Sequence, residues 1–474
     1  MVDGAGAIDP AFRGGDSASS ELGAPVVSIV SMAPPEGPAD GARMTEAAAH
    51  PGVTGSGGSP WSVVAPSAPT PAPTPAATPA APASEPGGHP ASRRPARTTG
   101  TSVGGPAEWW WALRTAAVPW VVARVAVGAA LAVARELADR THPLPSVVRR
   151  VHEGLLGWDA GWYEAIARHG YGGVGHASLR FFPLVPLLAR GLSSLPGVGV
   201  GAALVVVANL SALGGAALLA ALARRETGDE RLATRAAWLV CIAPPAFAQV
   251  MGYAEGTLLL LAVGMFLALR GRAWWWAAGL GVAAGLTRPI GVLLVVPALV
   301  EALRGVRDVS WSGRFARAGA VAGPAAGFGA FVAFVGLRYG DALAPLRVQQ
   351  EGTLRGGVAD PLSTLSHDAS LLVHGHHLGE ALHLPWALLA IALTVVAWRR
   401  WPASYGAFAT VVLGVALTAS NLDGFERYAL SAFPLVLAAA TVTAGRRVER
   451  AALTVGTAGL VAYAVLTFTN LYVP

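Results

Sequence analysis

GWDAGWYEAIARHGYGGVGHASLRFFPLVPLLAR, residues 157–190, sets one acid, Asp159, between two tryptophans, Trp158 and Trp162. It is the first polar, aromatic-rich interval after the first long apolar run. It closes on Phe181-Phe182-Pro183, where the chain turns apolar again. Two readings of Asp159 follow from this stretch. As a helix N-cap it would open AGWYEAIARH, with Gly170 as the stop and with Trp162, Tyr163 and Ile166 as an apolar stripe suited to a membrane interface. As a functional carboxylate it would stand in a polar loop beside the membrane and act on a substrate.

Composition favours a lipid environment around that loop. The 474 residues are 53% hydrophobic and only 13% charged, against about 25% charged in a soluble domain. The mean hydropathy is +0.49. The net charge of +6 comes from arginine alone, since the chain has no lysine. In a membrane protein such an excess sets topology rather than binding nucleic acid. The single cysteine, Cys241, lies in an apolar run, so no intramolecular disulfide can form. Residues 1–20 are polar and acidic, and 24–33 are a weak apolar stretch without a basic flank. The first span is therefore expected to act as its own signal anchor.

Residues 1–106 are rich in Pro, Ala, Gly, Ser and Thr, and read as a disordered tail. Arg93, Arg94 and Arg97 close this segment and place it in the cytoplasm by the positive-inside tendency. Residues 107–474 then form one transmembrane domain. Runs near the length needed to cross a bilayer are read at 109–133, 198–223, 236–252, 256–269, 274–286, 290–303, 318–337, 384–398, 403–419, 428–444 and 451–471. The short piece 181–195 is read as shallow or re-entrant, because Arg190 sits inside it. Basic loops fall on the inner side, at 224–235, Arg270 and Arg272, 304–317, Arg399-Arg400 and Arg446-Arg447. The expected fold is an all-α polytopic membrane protein of about eleven transmembrane helices, with interfacial helices in the first outer loop.

This topology brings Asp159, Tyr253, Glu255, Arg288, the loop 338–383 and Glu426-Arg427 to the outer face. Sugar transfer with inversion needs a base on the attacking hydroxyl. A phosphate leaving group departs as an anion and needs no strong general acid, so one carboxylate suffices if cations hold the phosphate. Asp159 is the candidate catalytic carboxylate. Arg288 and Arg427 are the candidate phosphate ligands, because a guanidinium matches phosphate oxygens two-pronged and keeps its charge in a low dielectric. The plainer alternatives are lipid head-group contacts or ion pairs, Arg427 with Glu426 or Asp423. Trp158, Trp162, Tyr253 and Glu255 are candidate substrate-binding residues, and Glu255 is alternatively a partner of one of the arginines. His367, Asp368, His374, His376, His377 and His383 match no closed zinc spacing, so no metal is expected. No phosphate-binding Gly-Lys-Ser/Thr loop, dinucleotide fingerprint or nucleophile elbow is present, and no cofactor is expected.

At these residues the chain resembles a known family. WDAGWYEAIARHGY followed by FFPLVPLL is similar to the bacterial relatives of the PIG-V family, the second mannosyltransferase of the GPI-anchor pathway. MGYAEGTLLLL, GLTRPIGVLLVVPALVE and ERYALSAFPLVLA resemble further segments of that family, in the same order along the chain. The resemblance covers residues from about 157 to 440 and implies a GT-C-like helical bundle. It implies an inverting mannosyltransferase of the plasma membrane, with its site on the extracytoplasmic face and Asp159 as the essential carboxylate. The implied partners are a polyprenyl-phosphate-linked sugar donor, a lipid or glycan acceptor and the surrounding membrane lipids. The competing expectation is a transporter or flippase of lipid-linked sugar, which would want charges deep within the spans and paired internal repeats.

Overall fold

A computed structural model describes residues 105–141, 144–351, 356–374, 383–420 and 422–473. The predicted tail lies outside the described residues except for Gly105 and Pro106. So do His376 and His377 of the histidine-rich loop. The described residues are helical, with a lone backbone bridge between Val358 and Ala419 and no strand.

Of the about eleven expected crossings, four are, among the described residues, helices long and apolar enough to span a bilayer: Pro106–Thr141, Val200–Thr227, Trp311–Tyr339 and Arg446–Phe468. A fifth is counted if Phe425–Ser431 and Phe433–Val442, bent 81° to one another, form one span. Other expected spans are shorter or broken, some of them at proline. The run 236–252 is a helix Glu230–Ile242 that stops at Pro244-Pro245. The run 290–303 begins as a tight turn, Pro289–Leu294, before the helix Val295–Leu303. The piece 181–195 contains one helix of 9 residues, Leu184–Leu192. At 1.5 Å per residue that is about 14 Å, half of the hydrocarbon thickness.

Between the first two long helices lie Pro145–Glu153, Asp159–His169 and Leu184–Leu192. The Asp159 helix ends at Gly170, as its sequence predicts, with φ 69° and its N–H on the Ile166 carbonyl. Its apolar stripe departs from expectation. Tyr163 and Ile166 are buried in the protein and Trp162 stacks on Phe181, so the stripe is a packing face rather than a membrane-resting one. The cause is the returning Phe181-Phe182, which covers it.

Small residues let the spans approach closely. Helix Trp274–Gly285 packs along Trp311–Tyr339 with Gly323 against the Ala278 carbonyl and Gly327 against the Val282 carbonyl. In the first span Arg124 is braced by neutral acceptors, donating to Asn209 Oδ1 at 2.8 Å and to the Gln249 carbonyl at 3.0 Å. Helix Glu255–Arg270 is buried along most of its length. Its 16 residues place its two ends about 24 Å apart. At one end Arg270 joins Glu226 and Glu301, with Ser404 donating to Glu301. At the other stands Glu255.

Gly327→Ala inserts a methyl group into the Val282 backbone, whereas Gly329 has open space around it. Gly327→Ala is expected to lose about 1–3 kcal/mol through overpacking, read as a lower melting temperature in detergent. Gly329→Ala is expected to be neutral or slightly stabilising.

Candidate functional site

Four segments meet at the Glu255 end, and each is delivered by a local rule. Tyr253-Ala254 follow a turn that Gly252 ties to the first loop, its N–H on the Leu155 carbonyl at 3.0 Å. Glu255 is the first residue of its helix, where the helix dipole favours a carboxylate. Arg288 precedes Pro289, which holds it extended, with φ −156° and ψ 155°. The Leu184 N–H bonds the Leu286 carbonyl at 3.0 Å, joining the Phe181-Phe182-Pro183 return to the tip that carries Arg288. Arg427 projects from the short helix Phe425–Ser431, which starts at Gly424 in a left-handed conformation.

Asp159 is not an N-cap. The cap position is Trp158, and no side chain caps this helix. Trp158 has φ 57° and ψ −127°, a backbone conformation that glycine tolerates and other residues hold at a cost of about 1–3 kcal/mol. Its indole Nε1 donates to the Thr467 carbonyl at 3.1 Å, and the Arg150 guanidinium lies 3.9 Å from its ring centre. These contacts hold the turn and release the Asp159 carboxylate from capping. That carboxylate accepts from Arg427 Nη1 at 3.0 Å. The same Nη1 donates to Glu255 Oε1 at 3.0 Å, and Arg288 Nη1 also donates to Glu255 Oε1. The result is a ladder of alternating charge, Arg288, Glu255, Arg427 and Asp159.

The ladder is closed at one end and open at the other. Glu255, Arg288 and Arg427 are buried, while the Asp159 side chain keeps 29% of its exposure. Aromatic rings line the ladder, with Arg427 5.1 Å from the centre of Tyr253 and Arg288 5.1 Å from that of Tyr428. Tyr253 is fully buried, and its hydroxyl lies near the Asp159 backbone without a well-formed hydrogen bond among the described residues. Burial pushes the Asp159 carboxyl up, but the guanidiniums of Arg427, Arg180 and Arg288 outweigh it and hold it below its ordinary value.

The structure therefore brings together Asp159, Tyr253, Glu255, Arg288 and Arg427. Of the two tryptophans, Trp158 supports the turn and Trp162 stacks on Phe181. Of the alternative ion pairs of Arg427, with Glu426 or Asp423, the Glu426 one gives way to another arrangement. Glu426 accepts from Tyr472 at 2.6 Å and lies 2.8 Å from His383 Nδ1. Arg180 was not among the sequence candidates. The available signal was its place inside the polar loop, immediately before Phe181, but spacing does not tell which loop side chain turns toward the acid. Among the described residues no cluster of three or more His, Cys, Asp or Glu is arranged to hold a metal ion. No protein-family model matches the chain, and no curated protein matches it.

Two outcomes follow. Removing Glu255 leaves two buried guanidiniums short of a partner, so Glu255→Ala is expected to lower stability by about 3–5 kcal/mol, measured by denaturation in detergent. A carboxyl lowered on folding stabilises above its ordinary pKa of 3.8 and loses that contribution as pH falls through the lowered value. The melting-temperature gap between wild type and Asp159→Asn is thus expected to be constant near neutrality and to narrow only below about pH 4.

Proposed function

We propose that this chain is an inverting glycosyltransferase that moves mannose from a polyprenyl-phosphate-mannose donor to a lipid or glycan acceptor at the extracytoplasmic face of the plasma membrane. In this reading the shorter apolar helices complete about eleven crossings of a GT-C-like bundle. The observation that carries the proposal is the part-exposed Asp159 carboxylate at the open end of a buried arginine–glutamate ladder. The sequence resemblance to PIG-V-type mannosyltransferases supports the choice of sugar and donor.

The chemistry balances with those groups. The acceptor hydroxyl oxygen attacks C1 of the mannose, and the bond from C1 to the phosphate oxygen breaks. The hydroxyl proton passes to the Asp159 carboxylate, and polyprenyl phosphate leaves with the bonding electrons. The neighbouring arginines make Asp159 a weak base. A bound phosphate draws on the same guanidiniums, so the proton affinity of Asp159 rises when the donor is in place. Tyr253 and Glu255 hold Arg427 against the acid, and Glu255 fixes Arg288 in the adjoining position.

General-base removal costs about 10²–10⁴-fold in rate. Asp159→Asn is expected to lose that much mannosyl transfer in membranes supplied with radiolabelled polyprenyl-phosphate-mannose, with the protein still folded. Full activity in that variant would exclude the role given to Asp159.

A further inference from the structure

The ladder leaves a question of charge. Arg288 and Arg427 both lie against carboxylates, Glu255 and Asp159. Each carries a guanidinium whose charge is already met. Arg180 differs. It ends the tight turn His176–Arg180, half-buried, and makes no salt bridge among the described residues. Its guanidinium lies 4.7 Å from the Phe181 ring centre and 5.7 Å from that of Trp162. Its Nε is buried without a hydrogen-bond partner among the described residues. It is near enough to Asp159 for its charge to act on that carboxyl.

Arg180 thus adds, on the Asp159 side of the ladder, a guanidinium that no carboxylate of the described residues pairs in a salt bridge. A buried N–H without a partner costs free energy that an incoming acceptor recovers. Flat aromatic surfaces under the guanidinium hold its plane while leaving its edge, the face that pairs with phosphate oxygens, for a ligand.

We infer that Arg180, rather than Arg288 or Arg427, is the principal ligand of the phosphate of a polyprenyl-phosphate substrate. The inference rests on the lipid-phosphate donor of the proposed function and specifies which residue receives it. A sugar phosphodiester carries one negative charge, which a single two-pronged guanidinium can meet. After transfer the lipid phosphate is a monoester with a second ionisation near neutral pH.

The test uses the full chain in lipid nanodiscs, with binding measured for a sugar-free polyprenyl phosphate, the corresponding neutral polyprenol, phosphatidylglycerol and inorganic phosphate. Wild type is expected to prefer the polyprenyl phosphate over all three others. Arg180→Gln is expected to weaken that binding about ten-fold or more, with polyprenol binding and melting temperature unchanged. Arg180→Lys keeps the charge but not the fork and is expected to retain part of the affinity. Wild-type affinity in Arg180→Gln overturns the inference. So does equal competition by inorganic phosphate or by phosphatidylglycerol, which would mark a free-phosphate or general head-group site. The transfer assay separates the two proposals. Arg180-dependent binding without sugar transfer leaves this assignment standing and removes the transferase reading. Transfer with an unchanged donor KM in Arg180→Gln does the reverse.

Discussion

Arg427 Nη1 sits 3.0 Å from both Asp159 and Glu255, and that shared donor is what the surrounding architecture serves. It joins residues that lie 268 and 172 positions apart in the chain. Burying such charges is costly, and a buried ion pair is often no more stabilising than a well-packed apolar pair. The site instead maintains a chain of them, with one carboxylate left open. Stability alone does not account for a ladder that is closed by burial at Arg288 and exposed at Asp159. A cluster of paired buried charges that ends in a part-exposed carboxylate is the pattern of a candidate functional site.

The orientation of Arg427 depends on its sequence neighbour pointing elsewhere. Glu426 is almost fully buried and is engaged by Tyr472 and His383. That anchors the helix Phe425–Ser431, from which Arg427 reaches Asp159. The break before Phe433–Val442 has the same effect, since a straight helix would continue along the bundle instead of turning by 81°. Broken helices are tolerated at membrane depth where their freed polar groups are met by protein, and Ser431 does this by donating to the Arg427 carbonyl at 3.0 Å.

Much of the site was legible because charge is rare in this chain. Glu255, Arg288 and Arg427 each stand at the margin of an apolar run, where a charge is conspicuous, and the alternation of apolar runs with basic loops placed them at one end. Their pairing was not legible. Arg427 has Glu426 beside it and Asp423 nearby, and no pattern in the sequence sets Asp159 above them. The capping reading of Asp159 failed because it assumes an ordinary backbone at the preceding residue. Trp158 adopts a positive φ that no propensity assigns to tryptophan. The helix count was blurred by Pro244, Pro289 and Pro434, since apolar content continues through these residues while helical hydrogen bonding does not. Arg180 was hidden by a simpler limit: a loop residue's direction is set by tertiary packing, here by Trp162 and Phe181.

The hydrogen bond from Trp158 to the Thr467 carbonyl spans 309 residues. A ribosome makes the Asp159 loop long before it makes Thr467, so during synthesis the turn at Trp158 lacks its distant anchor. The nascent chain can insert its early helices, but the turn before Asp159 gains its Thr467 anchor only when helix Arg446–Phe468 has entered the bilayer and docked. Maturation of the site is therefore tied to completion of translation, and a prematurely released chain carries the carboxylate without the setting that aims it.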